Sequence, residues 1–351
     1  MNENNAENIK RIATFCSYAP VEIIDAAGFR PTRILRYGKS TNRAISYFPA
    51  CVCSFCSDCL DTMFSSLSNY AGMVFINSCY AMNAFFEEKK KYIRDKPVFL
   101  VDTPTEYFLH AEEHLFSVLK NFRTSLEESY NVRITNEKLR ASIKKYNRLR
   151  NRKTEIERLI IQQKLNLTAN ERMLLNEKLN TDADEFIRYA EVLIGNAKNI
   201  DRNRKKLPRI MICESIYAPV NLTGMVEELG GNVVLCDNCS CSRAVNSNID
   251  ETIDPMEAIV QKYINKPPCG RHTQFNKKMQ EFQQNVDDYK VDGVIFSAMK
   301  FCPDQNYSAL NLAEVLKSRD IPFLFLNVDY MGTSLKQVRA RIEGFLERLK
   351  V

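Results

Sequence analysis

The chain has 351 residues, 45% hydrophobic and 26% charged, with a net charge of +6, enough for two or three globular domains with proper cores and unlike a disordered or fibrous chain. Its Lys and Arg residues are interleaved with Asp and Glu, which argues against nucleic acid as a partner while leaving a phosphate-bearing small ligand compatible. No apolar run reaches the roughly 18 residues that span a bilayer, and the opening MNENNAENIKRIATF lacks the pattern of a signal peptide, so a cytoplasmic protein without a membrane partner is expected.

Short apolar runs rich in Val, Ile and Phe recur along the chain. They are RIATF (11–15), MVFIN (73–77), PVFLVD (97–102), RIMIC (209–213), NVVLC (232–236), GVIFSAM (293–299) and PFLFLNV (322–328). Continuous runs of this length predict parallel strands buried on both faces. Crossover helices are expected before Gly230-Gly231 and around Leu310 to Leu316. From about Thr105 to Leu207 no strand candidate occurs, and Leu115, Leu119, Phe122 and Leu126, then Leu139, Ile143 and Tyr146, fall at helical spacing. Thr168-Ala169-Asn170-Glu171 fits a capping box. The expected fold class is α/β: two open parallel-sheet, Rossmann-like domains, residues 1–104 and 208–351, joined by a helical segment, 105–207. The two α/β halves are candidates for a diverged duplication.

Twelve cysteines in a reducing compartment point to metal ligation, redox chemistry or small core hydrophobes, not to structural disulfides. In open parallel sheets, reactive groups gather beyond the carboxyl ends of the strands. Cys16, Cys79, Cys213, Cys236, Cys239, Cys241 and Cys302 all fall at or just past such ends. The run ACVCSFCSDCL puts Cys53, Cys56 and Cys59 three residues apart, so on a helix from about Ser54 they cannot all face one site. Cys51, Cys56 and Cys59 are candidates for packing. Cys53-x-x-Cys56 with Cys236-x-x-Cys239 has the spacing of a structural zinc site. A self-contained ferredoxin run is absent, because Met63 stands where its fourth cysteine belongs.

His110-Ala111-Glu112-Glu113-His114 matches H-x-x-E-H, but the bland reading is a polar helix face. Phosphate-binding P-loops, dinucleotide fingerprints and G-x-S-x-G elbows are missing from the sequence, and His272 has no evident Cys or Ser partner, which disfavours hydrolase chemistry and direct use of ATP.

The segments CSYAPVEIIDAAGF (16–29), YFPACVCSFCSDCLD (47–61), INSCYAM (76–82), VDGVIFSAMKFCPD (291–304), IPFLFLNVDY (321–330) and QVRARIEGFLE (337–347) resemble the 2-hydroxyacyl-CoA dehydratase and benzoyl-CoA reductase family, in its D-component type of subunit. The resemblance implies an oxygen-sensitive [4Fe-4S] cluster held by Cys53, Cys79 and Cys302. It implies further an ATP-dependent iron–sulfur activator that delivers a strongly reducing electron, a homologous second subunit and an acyl-CoA substrate. Two positions depart from the family pattern: Tyr80 stands where Asp follows the second cysteine, and Pro303-Asp304 inverts the usual order. The additional Cys213, Cys239 and Cys269 resemble the homodimeric double-cubane [8Fe-9S] reductases of the same family, which act on small unsaturated substrates. A non-catalytic iron–sulfur or zinc scaffold is the third expectation, and the sequence singles out no catalytic side chain beyond the thiols.

Overall fold

The computed structural model describes residues 9–35, 46–48, 52–104, 106, 108–197, 207–214, 216, 221–244, 247–267, 269, 274–329 and 334–349. Cys51, His272 and the first eight residues lie outside these.

Every run expected to form a strand does so. The first sheet contains β1 (Arg11–Thr14), β2 (Arg30–Arg33), β3 (Tyr70–Ile76) and β4 (Val98–Val101), in the order β2-β1-β3-β4. The second contains β5 (Arg209–Glu214), β6 (Asn232–Asp237), β7 (Gly293–Met299) and β8 (Phe323–Val328), in the order β6-β5-β7-β8. All pairings are parallel. The two sheets thus share one strand order, as a duplicated unit would. In each, the order reverses beside its first strand, the place where crevices open at the carboxyl ends of such sheets.

Strand β2 carries no apolar run. Its sequence is Arg-Pro-Thr-Arg, an edge strand where a proline is tolerated because one side of the ladder is unpaired. Tertiary pairing with β1 makes it a strand, not the propensity of its residues.

Helices α1 (Val21–Ala26), α2 (Ser54–Ser66) and α3 (Tyr80–Tyr92) belong to the first sheet. The middle of the chain is helical as expected: α4 (Ala111–Tyr130), α5 (Asn136–Ile161), α6 (Ala169–Thr181) and α7 (Ala183–Gly195). Thr168 and Glu171 form the complete capping box that opens α6. The remaining helices are α8 (Leu222–Glu228), α9 (Pro255–Ile264), α10 (Phe275–Asp288), α11 (Pro303–Lys317) and α12 (Leu335–Arg348). Gly230, at φ 85°, turns the chain sharply from α8 into β6, a conformation that costs glycine little.

Three apolar cores result. One covers a face of each sheet and gathers Phe15, Phe55, Phe75 and Phe85 with Ile210, Ile295 and Phe345. A second lies on the other face of the second sheet, beneath α10 and α11, and takes in the far half of α5 with α7. The third joins the opposite face of the first sheet to α4, the near half of α5 and α9. Helix α5 has 26 residues, about 39 Å at 1.5 Å per residue, and so reaches from one core to another.

Candidate metal centre

Cys53, Cys79 and Cys302 occupy equivalent places in three different helices. Cys53 caps α2, Cys302 caps α11 and Cys79 directly precedes α3. The first helical hydrogen bonds run from Cys56 N–H to the Cys53 carbonyl at 2.9 Å, from Asn83 N–H to Cys79 at 3.0 Å and from Asn306 N–H to Cys302 at 3.2 Å. Neither Cys53 nor Cys302 makes a side-chain capping hydrogen bond, but the first-turn N–H groups of Phe55 and Cys56 at Cys53, of Met82 and Ala81 at Cys79 and of Gln305 at Cys302 favour the thiolate electrostatically.

The three thiols also lie within electrostatic reach of one another. Burial pushes the Cys53 thiol up to about 11, opposed by its two amides and reinforced by Cys79 and Asp329. Burial pushes Cys302 up to about 12, with Cys53, Asp304 and Cys79 adding to the rise and the Gln305 amide opposing it. Cys79 is raised by burial too, opposed by its amides, with Cys16 and Asp304 as further negative neighbours. As free thiols these groups therefore hold their protons; a bound cation is what would turn them into thiolates.

The two departures from the family pattern both fall on the first residue of a helix. Tyr80 opens α3 and is 73% exposed. Pro303 opens α11, a position whose N–H has no helical partner in any case. Phe301, at φ 60°, holds the left-handed turn that delivers Cys302 to its cap, a conformation costing a residue with a side chain about 1–2 kcal/mol.

The other cysteines divide. Cys56 is fully buried and donates to the Ala81 carbonyl at 3.0 Å, and Cys59 is fully buried as well. Both pack, as expected. Cys239 sits in the loop after β6, shaped by Asn238, whose amide donates to Glu214 at 3.1 Å and whose carbonyl accepts from Ser240 N–H at 2.9 Å. Cys213 points away from Ile210 and Ile212 to the other face of the second sheet, among Met279 and Phe282, because side chains alternate along a strand. Even so, the buried guanidinium of Arg243 lies within reach of Asp237, Cys239, Cys269 and Cys213. Cys236 belongs elsewhere: its thiol is drawn down to about 7 by a hydrogen bond with Cys241, against the upward push of burial.

One partner, Arg33, escapes a reading of the sequence. Arg33, at the end of β2, donates to the Cys239 carbonyl at 2.5 Å and to its sulfur at 2.9 Å. Cys16 lies near Arg33 and Cys79. Recognising β2 as a strand is what would have drawn attention to Arg33. The H-x-x-E-H segment is ordinary: His110 stands before α4 with its ring bonded to exposed Glu113 at 2.6 Å. Among the described residues no group of three or more His, Cys, Asp or Glu is placed to surround a single ion. An iron–sulfur cluster does not demand that, since each of its thiolates binds a separate iron. Nor is any helix among the described residues long and apolar enough to cross a membrane.

Residues 16–349 match the model of a family described as 2-hydroxyglutaryl-CoA dehydratase, D-component. The chain is 23% identical over 343 residues to the (R)-phenyllactyl-CoA dehydratase beta subunit of Clostridium sporogenes, covering 97% of this chain and 92% of that one. It is 22% identical over 355 residues to a benzoyl-CoA reductase subunit of Thauera aromatica, covering 97% and 91%. With the (R)-2-hydroxyglutaryl-CoA dehydratase beta subunit of Acidaminococcus fermentans it shares 21% over 367 residues, covering 98% and 93%.

Proposed function

Because the chain belongs to the 2-hydroxyglutaryl-CoA dehydratase D-component family, we propose that it is the iron–sulfur subunit of a 2-hydroxyacyl-CoA dehydratase-type enzyme, with Cys53, Cys79 and Cys302 as the protein ligands of a [4Fe-4S] cluster. The observation that carries this reading is the meeting of three cysteine-capped helix starts. Each helix presents unpaired N–H groups and the positive end of its dipole, which suit an anion. Each also lowers the cost of a thiolate. Such a cluster would supply one-electron transfer and, at an iron without a protein ligand, Lewis acidity.

The chain's own residues set the conditions of that chemistry. The first-turn amides of Phe55, Cys56, Ala81, Met82 and Gln305 favour negative charge on the ligand sulfurs, and N–H groups turned toward sulfur raise a cluster's potential. The carboxylates of Asp304 and Asp329 lie within electrostatic reach of the thiols and act in the opposite sense. The apolar core behind the thiols, with Phe15 stacked on Phe75 at 4.6 Å, keeps water from their inner side. The electron would come from a separate ATP-dependent iron–sulfur activator, and a second, homologous subunit would complete the enzyme.

Anaerobic purification with iron and acid-labile sulfide analysis tests the assignment: about four of each per chain are expected, falling to near zero when Cys53, Cys79 or Cys302 is replaced by Ser. Zinc without sulfide would refute it.

A second reading follows from the gathering of Cys239, Cys269 and Cys213 about Arg243: a double-cubane [8Fe-9S] reductase of small unsaturated substrates. Six thiolates would then hold about eight iron per chain, and Cys239→Ser would lower the count as severely as Cys302→Ser does.

A further inference from the structure

Among the described cysteines, Cys16, Cys53, Cys79, Cys239, Cys269 and Cys302 stay half-buried, while Cys56, Cys59, Cys213, Cys236 and Cys241 are buried. Cys53, Cys79 and Cys302 are the ligands proposed above, and Cys239 and Cys269 belong to the second reading. Cys16 has no role in either. A buried cysteine behaves as a small hydrophobe, whereas a reactive or metal-binding thiol keeps its sulfur accessible.

Strand pairing and three tethers place Cys16 beside the other five. Strand β1 lies between β2 and β3, and Cys16 stands two residues past its end, in the crevice where the strand order reverses. On one side, Thr14 is in register with Arg33, and Arg33 donates to the Cys239 sulfur at 2.9 Å. On the other, Cys79 follows β3 and has Cys16 as an electrostatic neighbour. Lys266 donates to the Ser17 carbonyl, and the Tyr18 hydroxyl donates to the Pro267 carbonyl at 3.1 Å. These two bonds tie the residues just after Cys16 to a stretch that ends two residues before Cys269, and two residues of chain span at most about 7 Å.

Cys213 is placed otherwise. It lies within β5, 2% exposed, on the face of the second sheet that carries Met279 and Phe282, while Cys239 and Cys302 pack on the opposite face. Cys16 touches the third core, but beyond the end of β1 the alternation that separates the two faces of a sheet no longer holds.

We infer that Cys16 is an iron ligand and that, with Cys239 and Cys269, it forms the second thiolate trio in place of Cys213. The inference rests on the double-cubane reading and changes its ligand set. Each thiolate of a cluster binds a separate iron, so the three sulfurs need only ring one space. Arg33 and Lys266, 6% and 4% exposed, both have Cys16 and Cys239 within electrostatic reach, and Arg243 has Cys239 and Cys269. Thiolate-bound iron–sulfur carries negative charge, and buried cations are tolerated where such charge pairs with them. Because Cys16 also neighbours Cys79, the two trios adjoin, as two joined cubanes require.

The test counts iron and acid-labile sulfide in the anaerobically purified chain and in Cys16→Ser, Cys16→Ala and Cys213→Ala. About eight iron per chain are expected in the wild type and in Cys213→Ala, and about four in both Cys16 variants. Differential alkylation of the wild type gives a readout that needs no variant to fold. Iodoacetamide followed by peptide mass analysis should label Cys16, together with Cys239 and Cys269, only after a chelator has removed the iron. About eight iron retained in Cys16→Ser, or a fall to about four in Cys213→Ala, overturns the ligand assignment and leaves the double-cubane reading standing. So does labelling of Cys16 while the wild type still holds about eight iron. About four iron in the wild type ends that reading and the assignment with it.

Discussion

At the scale of single residues, what sets the candidate site apart is that its thiols are placed by backbone and not by side-chain scaffolding. Phe301 shows the cost. Its left-handed φ of 60° delivers Cys302 to the cap, and Phe301→Gly should raise stability by about 1 kcal/mol by relieving that conformation. Denaturant unfolding measures the gain, and iron content should not change; a loss of iron would mean that the ring itself shapes the site. Lys262 predicts a pH dependence. Its folded value of about 6 lies below the ordinary 10.5, so between these values the unfolded chain binds the additional proton, and stability rises with pH across that window. Below about pH 6 the whole penalty is present. The wild type should gain on Lys262→Met as pH climbs from 6 to 10. Parallel melting profiles would contradict the crowding of a buried amine by Arg150, Lys266 and Lys153 beyond what Glu22 offsets.

At the scale of elements, the helix starts carry both stability and chemistry. Thr168 accepts from Glu171 N–H at 3.2 Å while the Glu171 carboxylate accepts from Thr168 N–H at 2.8 Å. Thr168→Ala should therefore cost about 1 kcal/mol in urea unfolding, with the site untouched. Four residues suffice to reveal this box, because both partners are local. The caps at Cys53, Cys79 and Cys302 are harder to see as one device, since cysteine is not an ordinary capping residue and nothing in the spacing of the three shows that their helices begin side by side. Strand β2 is the clearest omission. Arg-Pro-Thr-Arg has no strand-like pattern, and its pairing with β1 depends on a partner some twenty residues away. With it went Arg33, which bonds Cys239.

At the scale of the whole molecule, large apolar side chains stand exposed on the elements that carry the thiols. Tyr80, Phe301, Tyr307 and Leu310 are 73%, 55%, 71% and 66% exposed, and they flank Cys79 and Cys302 or lie on α11. Large apolar side chains concentrated beside a site mark an interaction surface. The relatives are named as subunits, and a second subunit, homologous or a copy of this chain, would cover this face. Native mass measurement on the purified protein should find a dimer or larger assembly, and Leu310→Asp should weaken association at least ~10-fold, as for a central apolar anchor. The melting temperature of the isolated chain should hardly move, since Leu310 is exposed in it. An unchanged assembly would place the partner elsewhere.

Whatever depends on near neighbours in the chain is legible before any folding: seven strands from unbroken apolar runs, the helical middle from its spacing, the capping box, and the family from short blocks around the cysteines. That Cys56 and Cys59 are fully buried shows only in the folded chain, where both stay within electrostatic reach of Cys53. Which thiols meet is a matter for the folded chain alone. Folding brings Cys53, Cys79 and Cys302 within electrostatic reach of one another from helices that start in both halves of the chain, and turns Cys213 to the other face of its sheet. It also gathers Arg33 of β2, Arg150 of α5, Lys262 of α9 and Lys266 just after α9 on the lining of one cavity. The physical reason is the same throughout: burial and charge balance act between groups that are close in space, and a linear chain records that closeness only where its folding is local.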